Sequence, residues 1–160
     1  MNRQWESEAN EKKWSHSGLD CKVTRHPSAG HLCGYVRIPK EHPLFDINYS
    51  SALPLLLQSK LKEVMEKPIG KRGAIDVVCF NPDAPTVGII FDVHGSITWS
   101  GNIKGEDGFW YGFDCSHCDD FVPYLSGTPM NGSVYRDMEY VTRETESLAE
   151  QISEIIKEDA

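Results

Sequence analysis

The most restrictive feature of the sequence is the stretch from residue 94 to residue 120, "HGSITWSGNIKGEDGFWYGFDCSHCDD". It contains two short runs rich in aromatic and β-branched residues, "SITWSG" and "FWYGFDC", with the glycine-rich segment "NIKGEDG" between them. Such runs joined by a glycine-rich turn are typical of an antiparallel hairpin. The stretch therefore predicts a chain that folds around an antiparallel sheet.

Other short runs predict further strands. "LDCKVTRH" and "HLCGYVRIP" are separated by the turn residues "PSAG", which indicates a second hairpin. "AIDVVCF" and "VGIIFDVHG" are almost continuously apolar and are separated by the proline-rich "NPDAPT". Continuous apolarity favours strands that are buried on both faces, so we expect these two in the centre of the sheet.

Two segments have the spacing of amphipathic helices. Ser50 or Ser51 can cap a helix over "ALPLLLQSKLKEVMEK", which Pro68 and Gly70 would end. A second apolar stripe recurs at intervals of seven, four and three residues and predicts a helix from about 139 to 157; its members are Val141, Leu148, Ile152 and Ile155.

The predicted order of elements is β-β-α-β-β-β-α, which indicates an α+β fold with two amphipathic helices on a mainly antiparallel sheet. A chain of 160 residues suits one domain with its own hydrophobic core. Residues 1–17 are polar and are predicted to form a loose N-terminal arm or a short frayed helix. Residues 18–160 are predicted to form the single α+β domain.

Charge and composition exclude some classes of function. The formal net charge of −8 argues against binding of duplex nucleic acid, which requires extensive neutralisation of phosphates. The sequence has neither a secretory signal nor an apolar run long enough to cross a membrane, so we expect a cytoplasmic protein. Five cysteines, an odd number at low density, predict free thiols in a reducing compartment.

The predicted hairpin collects the polar candidates for a functional site. If its turn lies around residues 100–108, then His94 at the end of one strand faces Asp114 near the end of the next. His117 and Asp120 follow three and six residues after Asp114. A set of histidines and carboxylates can bind a divalent metal and activate water, or can hold a ligand by hydrogen bonds. The alternative is a hydrogen-bonded cluster that closes the end of the sheet. No cofactor is favoured. Binding of a divalent metal remains an alternative, with His94, Asp114, His117 and Asp120 as its candidate ligands.

Aromatic and cationic residues extend this candidate site. Trp99, Trp110 and Phe113 alternate around the hairpin and could stack on a nucleobase beside His94, although core packing is the more frequent explanation of such a stretch. Arg37 is the strongest candidate for a phosphate contact because guanidinium binds phosphate through two hydrogen bonds. Lys71 and Arg72 follow the first helix. Arg136 either pairs with a nearby carboxylate or points toward the site from the start of the last helix.

Cys115 and Cys118 have the C-x-x-C spacing of a zinc or redox pair. No second pair of this kind is present, so buried or incidental thiols are the favoured interpretation. The sequence also contains no phosphate-binding Walker loop, no G-x-G-x-x-G, no G-x-S-x-G and no H-E-x-x-H. The common signatures of enzymes are therefore absent.

Five blocks of the chain resemble an uncharacterised family of small proteins common in phages and prophages. These blocks are "CGYVRIPKEHPLF", "VHGSITW", "FWYGFDCSHCDD", "YRDMEYV" and "ESLAEQI", and the resemblance covers roughly residues 21–152. Ser96 stands where the family pattern has a second glycine after "VHG". The resemblance implies a virus-encoded accessory protein and implies no particular reaction.

Three functions are compatible with the sequence. The favoured hypothesis is a non-catalytic protein that sequesters a small nucleotide-like ligand or signal in the host cytoplasm and so blunts host defence. Its site would comprise His94, Trp99, Trp110, Phe113, Asp114, His117, Arg37 and Arg136. The second hypothesis is a metal-dependent hydrolase, and the third is an acidic inhibitor of a host protein. Each of the three functions is compatible with a homo-oligomer.

Overall fold

A five-stranded antiparallel sheet forms the centre of the computed structural model, which describes residues 3–68, 70–73, 78–125 and 132–159. The strand order is β1-β2-β3-β5-β4. The strands are β1 (Glu11–His16), β2 (Leu19–Arg25), β3 (Leu32–Ile38), β4 (Trp99–Gly101) and β5 (Phe109–Asp114). The helices are α1 (Gln4–Ser7), α2 (Gln58–Met65) and α3 (Met138–Asp159), with 3-10 turns at Leu55–Leu57 and Val87–Ile90. The predicted α+β fold is confirmed.

Both predicted hairpins are present. Strands β2 and β3 pair with Thr24 opposite Cys33, and the turn residues between them include Gly30, whose φ is +87°. Strands β4 and β5 pair with Trp99 opposite Gly112. Because β5 also pairs with β3, the two hairpins join into one sheet.

Helix α3 packs across one face of this sheet, against β2 and β3. Its apolar stripe is completely or almost completely buried, at Val141, Leu148, Ile152 and Ile155. The helix approaches closely because Gly34 of β3 has no side chain: a Cβ atom there would collide with Thr145 and Phe113. The predicted C-terminal helix is therefore confirmed, and it begins one residue earlier than expected.

The first amphipathic helix is shorter than predicted. Leu53 and Leu57 are buried, whereas Leu55 is 89% exposed. A 3-10 turn follows Pro54, and the α-helical part begins only at Gln58. Proline does not donate a backbone hydrogen bond, and the tighter turn after it sets a different side-chain spacing from the α-helical one. No helix among the described residues has the length and apolarity needed to cross a membrane.

The prediction of a strand over "VGIIFDVHG" is wrong. Residues 87–90 form a 3-10 turn, and the backbone then reverses at Gly95 and Ser96, whose φ angles are +67° and +71°. Phe91 and Val93 are nevertheless buried. The segment is apolar because it fills the core beside the sheet, which periodicity alone does not distinguish from strand pairing. Of the strand predicted over "AIDVVCF", residues 74–77 lie outside the described residues, and Val78 is not in a strand.

The loose N-terminal arm predicted over residues 1–17 is also wrong in part, because Glu11–His16 forms the edge strand β1. Its first three residues, Glu11, Lys12 and Lys13, are exposed, which is common on edge strands, where charge prevents pairing with other chains. The polar residues that suggested an arm are therefore the exposed residues of an edge strand.

Candidate functional site

Three segments of the chain meet beside one end of the sheet. His94 lies in the turn that precedes β4, His117 and Asp120 lie in the turn after β5, and Arg136 and Tyr140 lie at the start of α3. They line a cavity of about 650 Å³. Its wall contains three cationic side chains, two histidines and two carboxylates: Lys71, Arg72, Arg136, His94, His117, Asp119 and Asp120.

The buried carboxylate of Asp120 is the centre of this group. Its Oδ2 accepts a hydrogen bond from the backbone N–H of His117 at 3.0 Å and lies 2.8 Å from Nε2 of His94. Its Oδ1 accepts a hydrogen bond from Nε of Arg136 at 3.0 Å. Burial raises the pKa of Asp120, but the hydrogen bonds from His117, His94 and Arg136 outweigh this effect and hold the pKa well below its ordinary value. Asp120 is therefore an ionised carboxylate at neutral pH.

His94 is held on three sides. Its Nδ1 lies 2.8 Å from the hydroxyl of Tyr140, and its backbone N–H donates to Glu144 at 3.0 Å. The other carboxylate oxygen of Glu144 accepts a hydrogen bond from Nζ of Lys71. Burial raises the pKa of Tyr140 to about 12, so the phenol keeps its proton at neutral pH. These contacts fix the orientation of the His94 ring, with Nε2 directed at Asp120.

The ring of His117 completes the group. Its Nδ1 lies 3.4 Å from Oδ2 of Asp120 and 3.8 Å from Oδ1 of Asp114, and its ring packs edge-on against His94. A Cβ atom on Gly95 would collide with this imidazole. The glycine therefore serves two purposes: it adopts a positive φ, and it leaves space for the histidine.

Asp114 lies beside this group rather than inside it. It accepts hydrogen bonds from the hydroxyls of Thr98 and Ser116. Burial raises the pKa of Asp114, but the bonds from Ser116 and the charge of His117 outweigh this effect and lower the pKa overall. Among the described residues no hydrogen bond joins Asp114 to His94. The carboxylate that contacts His94 is that of Asp120, so the expected facing pair is replaced by His94 and Asp120.

The four remaining predicted ligand contacts lie away from the cavity wall. Phe113 is 1% exposed and belongs to the core beneath α3. Trp110 and Arg37 line a separate cavity of about 370 Å³, where Arg37 pairs with Asp20. Trp99 packs edge-on against Tyr35. The expected aromatic wall beside His94 is therefore absent from this cavity.

The C-x-x-C cysteines point into different surroundings. Cys115 is buried, and burial raises the pKa of its thiol, whereas Cys118 is exposed at the rim of the cavity. All five cysteines are free.

The ring nitrogens of His94 and His117 and a carboxylate oxygen of Asp120 lie within 4.8 Å of one another, so this group could hold a metal ion. Sequence reasoning named all three residues but missed Tyr140 and Glu144. Their signal was available, since Tyr140 and Glu144 are four residues apart and share one face of the C-terminal helix, and Arg136 precedes that helix by two residues.

Comparisons with protein-family models, with curated proteins and with solved structures found no significant match for the chain. The function is therefore inferred from the geometry of the cavity.

Proposed function

We propose that the cavity binds a small phosphate-bearing ligand, of the nucleotide-like class, and holds it without chemical change. The observation that carries the proposal is the set of contacts that holds the Arg136 side chain at the cavity. Its Nε donates to Asp120, and its guanidinium lies over the ring of Tyr140, 4.9 Å from the ring centroid. Among the described residues its two terminal nitrogens make no hydrogen bond. A fixed guanidinium with both terminal nitrogens available is suited to a bidentate phosphate contact.

The rest of the cavity supports an anionic ligand of modest size. Lys71 and Arg72 also line it, so three cations are concentrated in one cavity of a chain whose net charge is −8. The volume of about 650 Å³ lies within the usual range for small-molecule sites. The phage-type sequence blocks support a role as an accessory protein that sequesters a signal of host defence.

Calorimetric titration of inorganic phosphate and of nucleotides into the purified protein tests this proposal. Arg136→Gln should weaken binding at least about tenfold, the loss expected for one charge-assisted contact. Arg37→Gln is the matched control because Arg37 also pairs with an aspartate but lies outside the cavity. Equal affinity in both variants would contradict the proposal. Recovery of unaltered nucleotide after denaturation would support sequestration.

A metal-dependent hydrolase is the second candidate, and the group of His94, His117 and Asp120 favours it. Two histidines and a carboxylate occur in catalytic metal sites that activate water. Incubation of the protein with phosphate esters and Zn²⁺ or Mn²⁺ distinguishes the two functions. Multiple turnovers that His117→Ala abolishes would favour hydrolysis, whereas unchanged ester would favour binding.

A further inference from the structure

We propose that His94, His117 and Asp120 form a site for one borderline divalent cation, of the Zn²⁺ and Co²⁺ type, whose remaining coordination position opens into the cavity. This inference deepens the proposed function and rests on it in one respect: the open position would be taken by a phosphate oxygen of the ligand. The metal site itself stands on the geometry of the three side chains.

The spacing of the three ligand atoms suits a small tetrahedral ion. Metal–ligand distances of about 2.0–2.1 Å place neighbouring ligand atoms of a tetrahedron roughly 3.4 Å apart. Nδ1 of His117 lies 3.4 Å from Oδ2 of Asp120. Nε2 of His94 lies 2.8 Å from the same oxygen, which is a hydrogen-bond distance. A cation can replace the proton between these two atoms if they separate by about 0.6 Å, from the hydrogen-bond distance to the tetrahedral spacing.

Outer contacts hold two of the three ligands, His94 and Asp120, in the orientation that coordination requires. Tyr140 contacts Nδ1 of His94, which leaves Nε2 for the metal. Arg136 binds Oδ1 of Asp120, which leaves Oδ2 for the metal. Contacts of this kind from a second layer of residues typically account for about 10- to 100-fold in metal affinity. The backbone bond from His94 to the buried Glu144 adds a third restraint.

The donor atoms select the class of metal. Two imidazole nitrogens and one carboxylate oxygen suit zinc, cobalt and related transition metals. Ca²⁺ takes six to eight oxygen ligands, and Mg²⁺ prefers an octahedron of oxygens with several waters. A site with two nitrogen ligands therefore discriminates against both.

The open position connects the metal to the cations of the cavity. Lys71, Arg72 and Arg136 line the same space and would bind the other oxygens of a phosphate whose remaining oxygen completes the metal coordination. Binding of metal and phosphate would then strengthen each other by the same factor, because coupling between two sites is reciprocal.

Titration of Co²⁺ into protein freed of metal by chelation tests the site. Tetrahedral Co²⁺ absorbs visible light far more strongly than six-coordinate Co²⁺, so the spectrum reports the geometry directly. We expect one Co²⁺ per chain, displacement by one equivalent of Zn²⁺, and no displacement by excess Mg²⁺. A thiolate-to-cobalt band in the near ultraviolet would instead assign the ion to Cys118 and overturn the proposal.

Variants locate the ion. His94→Ala and His117→Ala should abolish the tetrahedral spectrum, whereas His16→Ala should retain it, since His16 pairs with Glu150 outside the cavity. Tyr140→Phe keeps the ring and should weaken Co²⁺ binding about 10- to 100-fold, which tests the site even if a histidine variant fails to fold. Retention of the spectrum in His94→Ala would overturn the proposal.

Inorganic phosphate separates this inference from the proposed function. A change of the Co²⁺ spectrum on addition of phosphate supports both. Phosphate binding to the metal-free protein without any tetrahedral Co²⁺ spectrum overturns the metal site and leaves the proposed function standing. A tetrahedral spectrum in a protein that binds no phosphate supports the metal site and overturns the proposed function.

Discussion

Gly95 shows how a single residue determines whether the site can form. Gly95 and Gly105 both have a positive φ, of +67° and +84°, but only a Cβ atom on Gly95 would collide with another residue, His117. We expect Gly105→Ala to cost about 1–2 kcal/mol from backbone strain alone. Gly95→Ala should cost about 1–3 kcal/mol more and weaken phosphate binding, because the imidazole has to move.

Urea unfolding of the two glycine variants measures this difference, with Gly105→Ala as the matched control for strain. Equal free energies of unfolding, with phosphate affinity retained in Gly95→Ala, would show that His117 has room to move and that the glycine is needed only for its backbone angle.

The thiols provide a second test at the scale of single residues. Burial raises the pKa of Cys21 and of Cys33 to about 12 and also raises that of Cys115, so these thiols remain protonated and shielded at pH 8. Cys79 and Cys118 are exposed. Since the thiolate is the reactive form, iodoacetamide at pH 8 should modify two cysteines rapidly and three only after unfolding. Peptide mass spectrometry identifies them, and equally rapid labelling of Cys115 and Cys118 would contradict the described burial.

Sequence reasoning identified most residues of the site but misjudged how they pair. A turn centred on residue 104 would place Trp99 opposite Phe109, whereas the structure pairs Trp99 with Gly112. A register shift by an odd number of residues changes which side chains share a face of the sheet. The expectation of aromatic rings beside His94 rested on their alternation along the hairpin, which does not by itself determine which rings face the cavity. Both Asp114 and Asp120 were named as candidates, but Asp114 was expected to face His94 because His94 was assigned to a strand, whereas the structure pairs His94 with Asp120.

Among the secondary-structure elements, the N-terminal segment packs against residues that are adjacent in sequence to the candidate site. The ring of Trp5 lies 5.2 Å from those of Phe121 and Tyr135, the sequence neighbours of Asp120 and Arg136. Trp5→Ala should therefore destabilise the protein by about 1–3 kcal/mol, the contribution of two aromatic pairs, and should weaken phosphate binding. Trp5→Phe should recover most of both losses.

Trp14→Ala is the matched control for this experiment, because Trp14 is also half-buried but donates to Glu146 on α3, away from the cavity. It should lower stability without changing phosphate affinity. If both tryptophan variants lose affinity equally, the effect of Trp5 is general destabilisation and not support of Asp120 and Arg136.

Elements with strong local signals were predicted well, and elements defined by distant contacts were not. The β2–β3 hairpin and α3 carry their own turn residues and apolar stripe, so their sequences suffice. Strand β1 has no apolar alternation, and only its pairing with β2 makes it a strand. The segment at 87–97 is the opposite case. Its apolar residues fill the hydrophobic core, but the segment does not form a strand of the sheet.

Buried apolar surface is distributed unevenly around the cavity across the fold. No residue of α2 is buried, whereas Leu148, Ala149 and Ile152 of α3 are fully buried. Regions with little buried apolar surface open at lower free energy than the core. The Lys71 side of the cavity follows α2 in the chain, and the Arg136 side is attached to α3. We therefore expect the Lys71 wall to open more easily than the Arg136 wall.

Hydrogen exchange under native conditions tests this asymmetry. Amides of residues 58–65 should exchange at least about 100-fold faster than those of residues 141–155, which corresponds to roughly 3 kcal/mol in opening free energy. Saturating phosphate should slow exchange at residues 70–73, because a ligand bound by both walls holds the less stable wall closed. Equal protection of α2 and α3 would contradict the asymmetry. Slower exchange only at the start of α3 would place the ligand on Arg136 alone and remove Lys71 and Arg72 from the binding site.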